Sequence, residues 1–141
     1  LIDLSSGSAW SNITSVLIDQ GEQKLWDGQN NTSMIISQPG HTDGAALLSF
    51  NYTNADYGTG VYGDWYLPSV DEMFILFENR YAINKAIYDD GNLLTTTIVQ
   101  LTDYWTSTEY DNNNAWEFRM HLQMSGTSKG SLKRVRAFRE F

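Results

Sequence analysis

The sequence has no cysteine and only two prolines among its 141 residues. The absence of cysteine excludes a disulfide framework and any metal site built from thiolates. No segment approaches the roughly 20 consecutive apolar residues that span a bilayer, so we expect no membrane insertion. The chain starts at Leu1 without a recognisable signal peptide, and we therefore expect a processed protein or a fragment of a longer one.

Positive charge is also scarce, with nine Lys and Arg residues against 17 Asp and Glu residues and a net charge of −8. This balance argues against nucleic acid as a partner. Six of the basic residues lie in residues 119–141, which hold one acid and carry a net charge of +5. The first 118 residues carry 16 acids against three bases. We predict that the basic end folds back against the acidic body, with a phosphate-binding patch as the alternative.

Apolar residues are plentiful, at 41%, and aromatic residues make up 13% of the chain. A disordered chain is poorer in both classes. The length suits one domain with a core of its own, and the sequence shows no repeat and no linker. We therefore predict a single domain over residues 1–141.

Two short helices are predicted in the first half of the chain, over residues 32–38 and 43–52. Asn30 or Asn31 is the candidate cap of the first helix, which ends before Pro39 and Gly40. The second helix has an apolar stripe that we expect to be buried, formed by Ala46, Leu47 and Phe50.

A third helix is predicted over residues 70–84. Ser69 and Glu72 have the spacing of a capping box, in which each side chain bonds the backbone amide of the other residue. Apolar residues then recur at helical spacing and predict one buried face: Val70, Met73, Phe74, Phe77 and Tyr81.

The last third of the chain is predicted to be a sheet. Apolar residues alternate from Trp116 to Leu122, which predicts a strand with Glu117, Arg119 and His121 on its exposed face. We expect a loop at 111–114, a turn at 125–130, a final strand at 133–138 and a weak strand at 96–101. These elements predict an α+β domain with two to three helices on a small, twisted antiparallel sheet with long irregular loops.

Several segments carry a family resemblance, and they occur in the same order as in that family. They are Trp10-Ser11-Asn12-Ile13-Thr14-Ser15, Gly63-Asp64-Trp65-Tyr66-Leu67-Pro68-Ser69, Tyr104-Trp105-Thr106-Ser107-Thr108-Glu109-Tyr110 and Arg134-Val135-Arg136-Ala137-Phe138. The chain resembles the DUF1566 family, also called the Lcl C-terminal domain. That resemblance implies a C-type-lectin-like fold, distantly similar to formylglycine-generating enzymes, in surface or tail proteins of bacteria, especially Bacteroidetes, and their phages.

The candidate binding surface is the loop at 111–114 with the strand that follows it. It comprises Asp111, Asn112, Asn113, Asn114, Trp116, Glu117, Arg119, His121 and Gln123. The alternative is a solvated loop of turn-forming residues. A sugar can also stack on Trp105 or Trp116, although both indoles equally suit a structural role. For the Gly63–Ser69 segment, we predict that Trp65 and Leu67 plug the core.

A calcium site is the alternative to a domain without a cofactor. Asp103, Glu109 and Asp111 supply the oxygen ligands that calcium prefers. The Glu-Pro-Asn and Trp-Asn-Asp motifs of calcium-dependent C-type lectins are absent, so we expect no cofactor. His41 and His121 lie too far apart in sequence to suggest a metal pair, and no catalytic residue is predicted.

The sequence and the resemblance predict a non-catalytic, extracellular binding domain of a phage tail or fibre, or of a bacterial surface protein. Its partner would be a cell-surface glycan or protein receptor. The first alternative is a structural domain that self-associates in a virion, pilus or filament. The second is an enzyme of the formylglycine-generating type, which the absence of cysteine disfavours.

Overall fold

The computed structural model describes residues 2–18, 23–56, 60–93, 95–98, 102–119 and 123–140. Those residues form an α+β domain, as predicted, with four helices rather than two to three. The elements are β1 (Ser5–Ser8), α1 (Gly28–Ile36), α2 (Ala45–Phe50), β2 (Asn54–Asp56), β3 (Gly60–Tyr62), α3 (Val70–Glu78), α4 (Arg80–Asp89), β4 (Asp103–Glu109), β5 (Asn114–Arg119), β6 (Gln123–Ser128) and β7 (Lys133–Val135).

The main sheet has the strand order β1-β7-β4-β5-β6, and β2 and β3 form a separate hairpin. The main sheet is mixed, which corrects the predicted antiparallel sheet. The last strand, β7, enters between β1 and β4 and runs parallel to β4, with Tyr104 opposite Arg134. The other strand pairs of the main sheet are antiparallel.

Both faces of the central strand β4 are covered. Successive side chains of a strand point to opposite faces. Accordingly, Tyr104 belongs to one buried cluster, with Met73, Phe77 and Phe118. Its neighbour Trp105 belongs to a second cluster, built around Trp10, Ile35 and Leu67. Residues 104–108 are therefore all buried, including the side chains of Thr106, Ser107 and Thr108.

The first two helices differ from their predicted bounds. α1 begins at Gly28 because Asp27 is its cap, with its carboxylate accepting from the Asn30 amide at 3.0 Å. Asn31 is buried within the helix rather than capping it. In α2 the buried residues are Ala45, Ala46 and Ser49. Of the predicted apolar stripe, Ala46 is buried and Leu47 is partly buried, but Phe50 is 49% exposed and was wrongly assigned to it.

The predicted third helix is two helices, α3 and α4. At its start Glu72 accepts from the Ser69 amide at 2.6 Å, as the capping box predicts. α3 ends at Glu78. The Asn79 side chain donates to the Ile75 carbonyl at 2.8 Å, which gives a hydrogen-bond partner to a carbonyl in the last turn of the helix. Because the helix breaks at Asn79, Tyr81 leaves the core face and is 80% exposed.

The C-terminal strands also correct the sequence predictions. Residues 125–128, which were predicted to lie in a turn, belong to β6, and β6 is in register with β5. The final strand ends at Val135, and Phe138 instead makes an isolated bridge with Tyr66. Residues 95–98 form no strand, and the rest of the predicted weak strand, residues 99–101, lies outside the described residues.

The basic C-terminal segment folds back onto acidic side chains, as predicted. Arg134 and Arg136 both bind Asp3, at 3.1 and 2.6 Å. Lys133 binds Asp103, and Lys129 binds Glu109. Among the described residues, no helix has the length and apolar character needed to cross a bilayer.

Candidate functional site

The loop at 111–114 joins β4 to β5, and Asp111 fixes its shape. Its Oδ1 accepts from the amides of Asn113 and Asn114, at 2.8 and 2.9 Å. The Asn114 side-chain amide donates to both carboxylate oxygens at 2.9 Å. These bonds hold the pKa of Asp111 below its usual value, and the bond from the Asn114 side chain contributes most. The loop is thus ordered, while the Asn112 and Asn113 side chains remain exposed.

A buried lysine, Lys129, is hydrogen-bonded to the backbone of this loop. The Lys129 side chain is fully buried, and its Nζ donates to the Asn112 carbonyl at 2.9 Å and to the Val16 carbonyl at 2.8 Å. Nζ also pairs with Glu109 at the end of β4, and it lies 5.1 Å from the centre of the Trp10 ring. One cation therefore joins the N-terminal segment, β4 and the loop.

Tyr110 and Trp116 form an aromatic pair beside the loop. Their rings meet edge to face with centres 4.7 Å apart, and Tyr110 is 55% exposed. The Tyr110 ring also lies directly against Gly126 of β6, where a Cβ would come within 2.6 Å of it. Gly126 is opposite Trp116 in the sheet register. The ring of Tyr110 is therefore held between a strand backbone and an indole while part of it faces solvent.

A shallow cleft of about 200 Å³ adjoins this pair. Its walls include Leu17 and Leu25, which are 43% and 47% exposed, together with Thr108 and Glu109. We call the exposed region formed by Leu17, Leu25, Tyr110, Trp116 and the loop at 111–114 the Tyr110 surface. Sequence reasoning found its loop and Trp116 but missed Tyr110. Gly126 would have pointed to Tyr110, because a glycine in a strand often marks a close approach, but the sequence predicted a turn at this position.

Glu117 does not belong to the exposed face on which it was predicted. Its side chain is fully buried and binds Lys133 at 2.5 Å and Arg119 at 2.9 Å. Arg119 is about one-third exposed and also contacts Asp103. Both candidates thus act in an internal ion-pair network. Alternation failed here because this face of β5 is covered too: Glu117 is opposite Trp105, which belongs with Ala115 to a buried cluster. Lys133 neutralises the buried carboxylate.

Two further candidates are described in part or not at all. His121 lies outside the described residues, as does the side chain of Gln123. The backbone of Gln123 begins β6 and pairs with Arg119. The structure therefore brings together the loop at 111–114 and Trp116, and it separates Glu117 and Arg119 from them.

The three candidate calcium ligands do not converge. Asp103 and Glu109 lie at opposite ends of β4, six residues or roughly 20 Å apart along an extended strand. Asp103 binds Lys133 at 2.8 Å, and Glu109 pairs with Lys129. Asp111 is occupied by its own loop. Across the part of the chain that the structure describes, no three acidic or histidine side chains gather into a group suited to a metal.

The structure also tests the roles predicted for Trp105 and for the Gly63–Ser69 segment. Trp105 is fully buried and donates its indole N–H to the Ser8 carbonyl at 2.8 Å, so no sugar can stack on it. In the Gly63–Ser69 segment, Leu67 is fully buried as predicted, but Trp65 is only partly buried and Tyr66 fills the core beside Leu67. The Pro68 carbonyl accepts from the Ser107 amide at 2.7 Å. This segment is therefore hydrogen-bonded directly to β4.

Comparison with known proteins adds no identity to these observations. The sequence matches no model of a known protein family and no curated protein.

Proposed function

We propose that this chain is a C-type-lectin-like domain of the DUF1566 family that binds a cell-surface glycan or protein receptor through the Tyr110 surface. It would act without catalysis and outside the cell, in a phage tail or fibre or on a bacterial surface. One observation carries the proposal: the partly exposed Tyr110 ring is fixed in place by Gly126 and Trp116.

A fixed aromatic ring suits recognition for an energetic reason. Ordering a mobile side chain costs about 0.5–1.5 kcal/mol on binding, and a ring already immobilised avoids much of that cost. Tyrosine is enriched where proteins bind partners, because its ring offers a large contact area and its hydroxyl a hydrogen bond. The ordered loop at 111–114 places the exposed amides of Asn112 and Asn113 beside the ring.

The charged groups of this region favour binding over acid–base chemistry. Glu109 and Lys129 neutralise each other beneath the loop. Asp111 is engaged by the loop's own amides, which stabilise its ionised form. What reaches solvent is one partly exposed tyrosine, two asparagine amides and apolar side chains, a composition typical of a recognition surface.

The test is binding of the labelled protein to glycan arrays and to a panel of bacterial cells. We expect saturable binding to at least one glycan or cell type, and we expect Tyr110→Ala to weaken it at least tenfold. Tyr81→Ala is the matched control, because Tyr81 is 80% exposed on α4, and it should bind normally. Gly126→Ala should also weaken binding, since the new methyl displaces the Tyr110 ring. Equal binding by all three variants would refute the proposed surface.

A second candidate function, assembly with copies of itself, is favoured by the edge strand β6. It occupies one end of the five-stranded sheet, and Gln123–Ser128 contains no charged residue or proline. Natural sheets usually protect an edge with such residues, because an unprotected edge pairs with other strands. Light scattering after gel filtration tests this function. Concentration-dependent oligomers that Thr127→Lys abolishes would support it, and a monomer at all concentrations would exclude it.

A further inference from the structure

A second cleft lies apart from the Tyr110 surface and shares no residue with it. Its volume is about 500 Å³, within the range of roughly 300–1,000 Å³ that is typical of small-molecule sites. It lies between the N-terminal segment, the end of α4 and the chain that follows α4. The lining residues used below are Asp3, Tyr88, Thr96, Thr97 and Arg134.

Asp3 and two arginines form a charged cluster at one side of the cleft. Asp3 Oδ1 accepts from Arg136 Nε at 2.7 Å, and Oδ2 accepts from Arg134 Nη1 at 3.1 Å. Oδ2 also accepts from the Tyr104 hydroxyl at 3.1 Å. Asp3 and Arg134 are the charged side chains that line the cleft, and Arg136 stands behind Asp3. Two guanidinium groups therefore share one carboxylate.

The sharing of one carboxylate by two guanidinium groups is destabilising chiefly because Arg136 is buried. Its side chain is fully buried. Nη2 donates to the Thr96 carbonyl at 2.7 Å, but Nη1 has no hydrogen-bond partner among the described residues. A buried charge is destabilising unless a counter-charge and hydrogen bonds compensate it. A bound anion would supply the missing negative charge to the group formed by Arg134, Arg136 and Asp3.

We propose that this cleft binds a carboxylate-bearing ligand the size of one sugar ring, an acidic monosaccharide, with Arg134 as its principal contact. Arg134 is 28% exposed, so its guanidinium is accessible, and its planar fork matches a carboxylate. The group of Arg134, Arg136 and Asp3 carries one surplus positive charge. The Asp90 carboxylate accepts from the lining residues Asn92 and Thr95, so a monoanion is favoured over a phosphate dianion.

The rim of the cleft suits a ring that carries hydroxyl groups. Tyr88 is 83% exposed and offers an aromatic face, against which the apolar face of a sugar packs. Thr97 is exposed and adds a hydroxyl that both donates and accepts hydrogen bonds. Tyr88, Thr97 and Arg134 line the same cleft, and we therefore place one sugar ring against all three.

The test is a titration of the isotope-labelled protein followed by amide chemical shifts. The probes are D-glucuronate, D-glucose and D-glucose 6-phosphate. We expect glucuronate to shift the amides of residues 95–97 and 134 and to saturate, with glucose binding roughly tenfold or more weakly. Shifts confined to residues 110–126 would overturn the proposal. Equal binding of glucose, or tighter binding of the phosphate, would overturn the role assigned to the carboxylate.

Three variants locate the contact. Arg134→Gln should weaken glucuronate binding roughly tenfold, whereas Lys24→Gln removes the same charge beside Asn31 of α1 and should have no effect. Equal losses in the two variants would show non-specific attraction. Tyr88→Ala changes an exposed side chain, so it keeps the fold and should weaken binding severalfold. If Arg134→Gln does not fold, the Tyr88 variant decides, and unchanged binding by it overturns the proposal.

Discussion

Lys129 shows how a single residue can hold a functional loop in place. Lysine is rarely fully buried unless it is paired. Here its Nζ has one carboxylate partner and two carbonyl partners, which together use its three N–H groups. The pair with Glu109 is almost completely shielded from water, so screening by solvent does not weaken it as it weakens surface pairs.

We therefore expect Lys129→Met to lower the free energy of unfolding by about 3–5 kcal/mol, because it leaves Glu109 as an uncompensated buried charge. The measurement is urea denaturation. Lys85→Met breaks an exposed pair with Asp89 and should cost at most about 0.5 kcal/mol. Similar losses in the two variants would contradict the structural role of Lys129.

Asp111 should make the order of its loop depend on pH. The pKa of Asp111 lies below the usual value of 3.8, chiefly because the Asn114 side chain and the Asn113 amide bond its ionised form. The stability that this group contributes is therefore present above about pH 3.8 and is lost as the pH falls through its lower folded value. Amide shifts of Asn113 and Asn114 should titrate with a midpoint below 3.8, and Asp111→Asn should abolish that titration. A midpoint at or above 3.8 would contradict this account.

At the scale of elements, the start of α1 packs against the segment that leads into α3. A Cβ on Gly28 would lie 2.3 Å from the Glu72 carboxylate and 2.8 Å from the backbone of both Leu67 and Ser69. No side chain larger than hydrogen fits at this contact. The two helices are thus positioned by a glycine whose importance cannot be read from helix propensity.

Gly28→Ala tests this contact, because helix propensity and packing predict opposite changes in the stability of the protein. Helix propensity alone predicts stabilisation of up to about 1 kcal/mol. The collision with backbone atoms predicts a loss of about 1–3 kcal/mol, and we expect the loss to dominate. Gly130→Ala is the control, since its nearest side-chain contact is an ordinary 3.7 Å. Thermal unfolding distinguishes the outcomes, and a higher melting temperature for Gly28→Ala would refute the packing argument.

The sequence predicted the α+β class and the start of α3, because both depend on local patterns. Ser69 and Glu72 are three residues apart, so their capping interaction is visible in the sequence. The burial of Glu117 could not be predicted, since its partner Lys133 is distant along the chain and reaches it only after β7 joins β4. The same reason hid the contact between Tyr110 and Gly126. The 111–114 loop was predicted because its turn-forming residues are contiguous.

At the scale of the whole molecule, basic residues near the end of the chain form ion pairs with acidic residues earlier in the sequence. Asp3, near the start of the chain, binds Arg134 and Arg136 near its end. Arg119 and Lys133 similarly share Asp103 and Glu117. Since the Asp3 pairs link residues more than 130 positions apart in sequence, they form only when β1 has joined β7.

Asp3→Asn should test the contribution of these long-range pairs. The change leaves two guanidinium groups without their carboxylate, and we expect a loss of about 3–5 kcal/mol in the free energy of unfolding. Asp64→Asn is the control, because Asp64 is half exposed where it binds Arg139, and its loss should have little effect. Chemical denaturation measures both. An Asp3→Asn protein as stable as the Asp64→Asn protein would contradict the role of this pair.

The pairing of the first and last strands sets how the domain responds to tension. Ser5 is opposite Val135 and Ser8 is opposite Lys133, so the outward ends of both strands lie at the same end of the ladder. A force that separates these ends loads the ladder one hydrogen bond at a time, as in unzipping, rather than shearing all of them together. The bonds between Asp3 and the two arginines flank the end that opens first. They are therefore the contacts that must break before the sheet can be peeled apart.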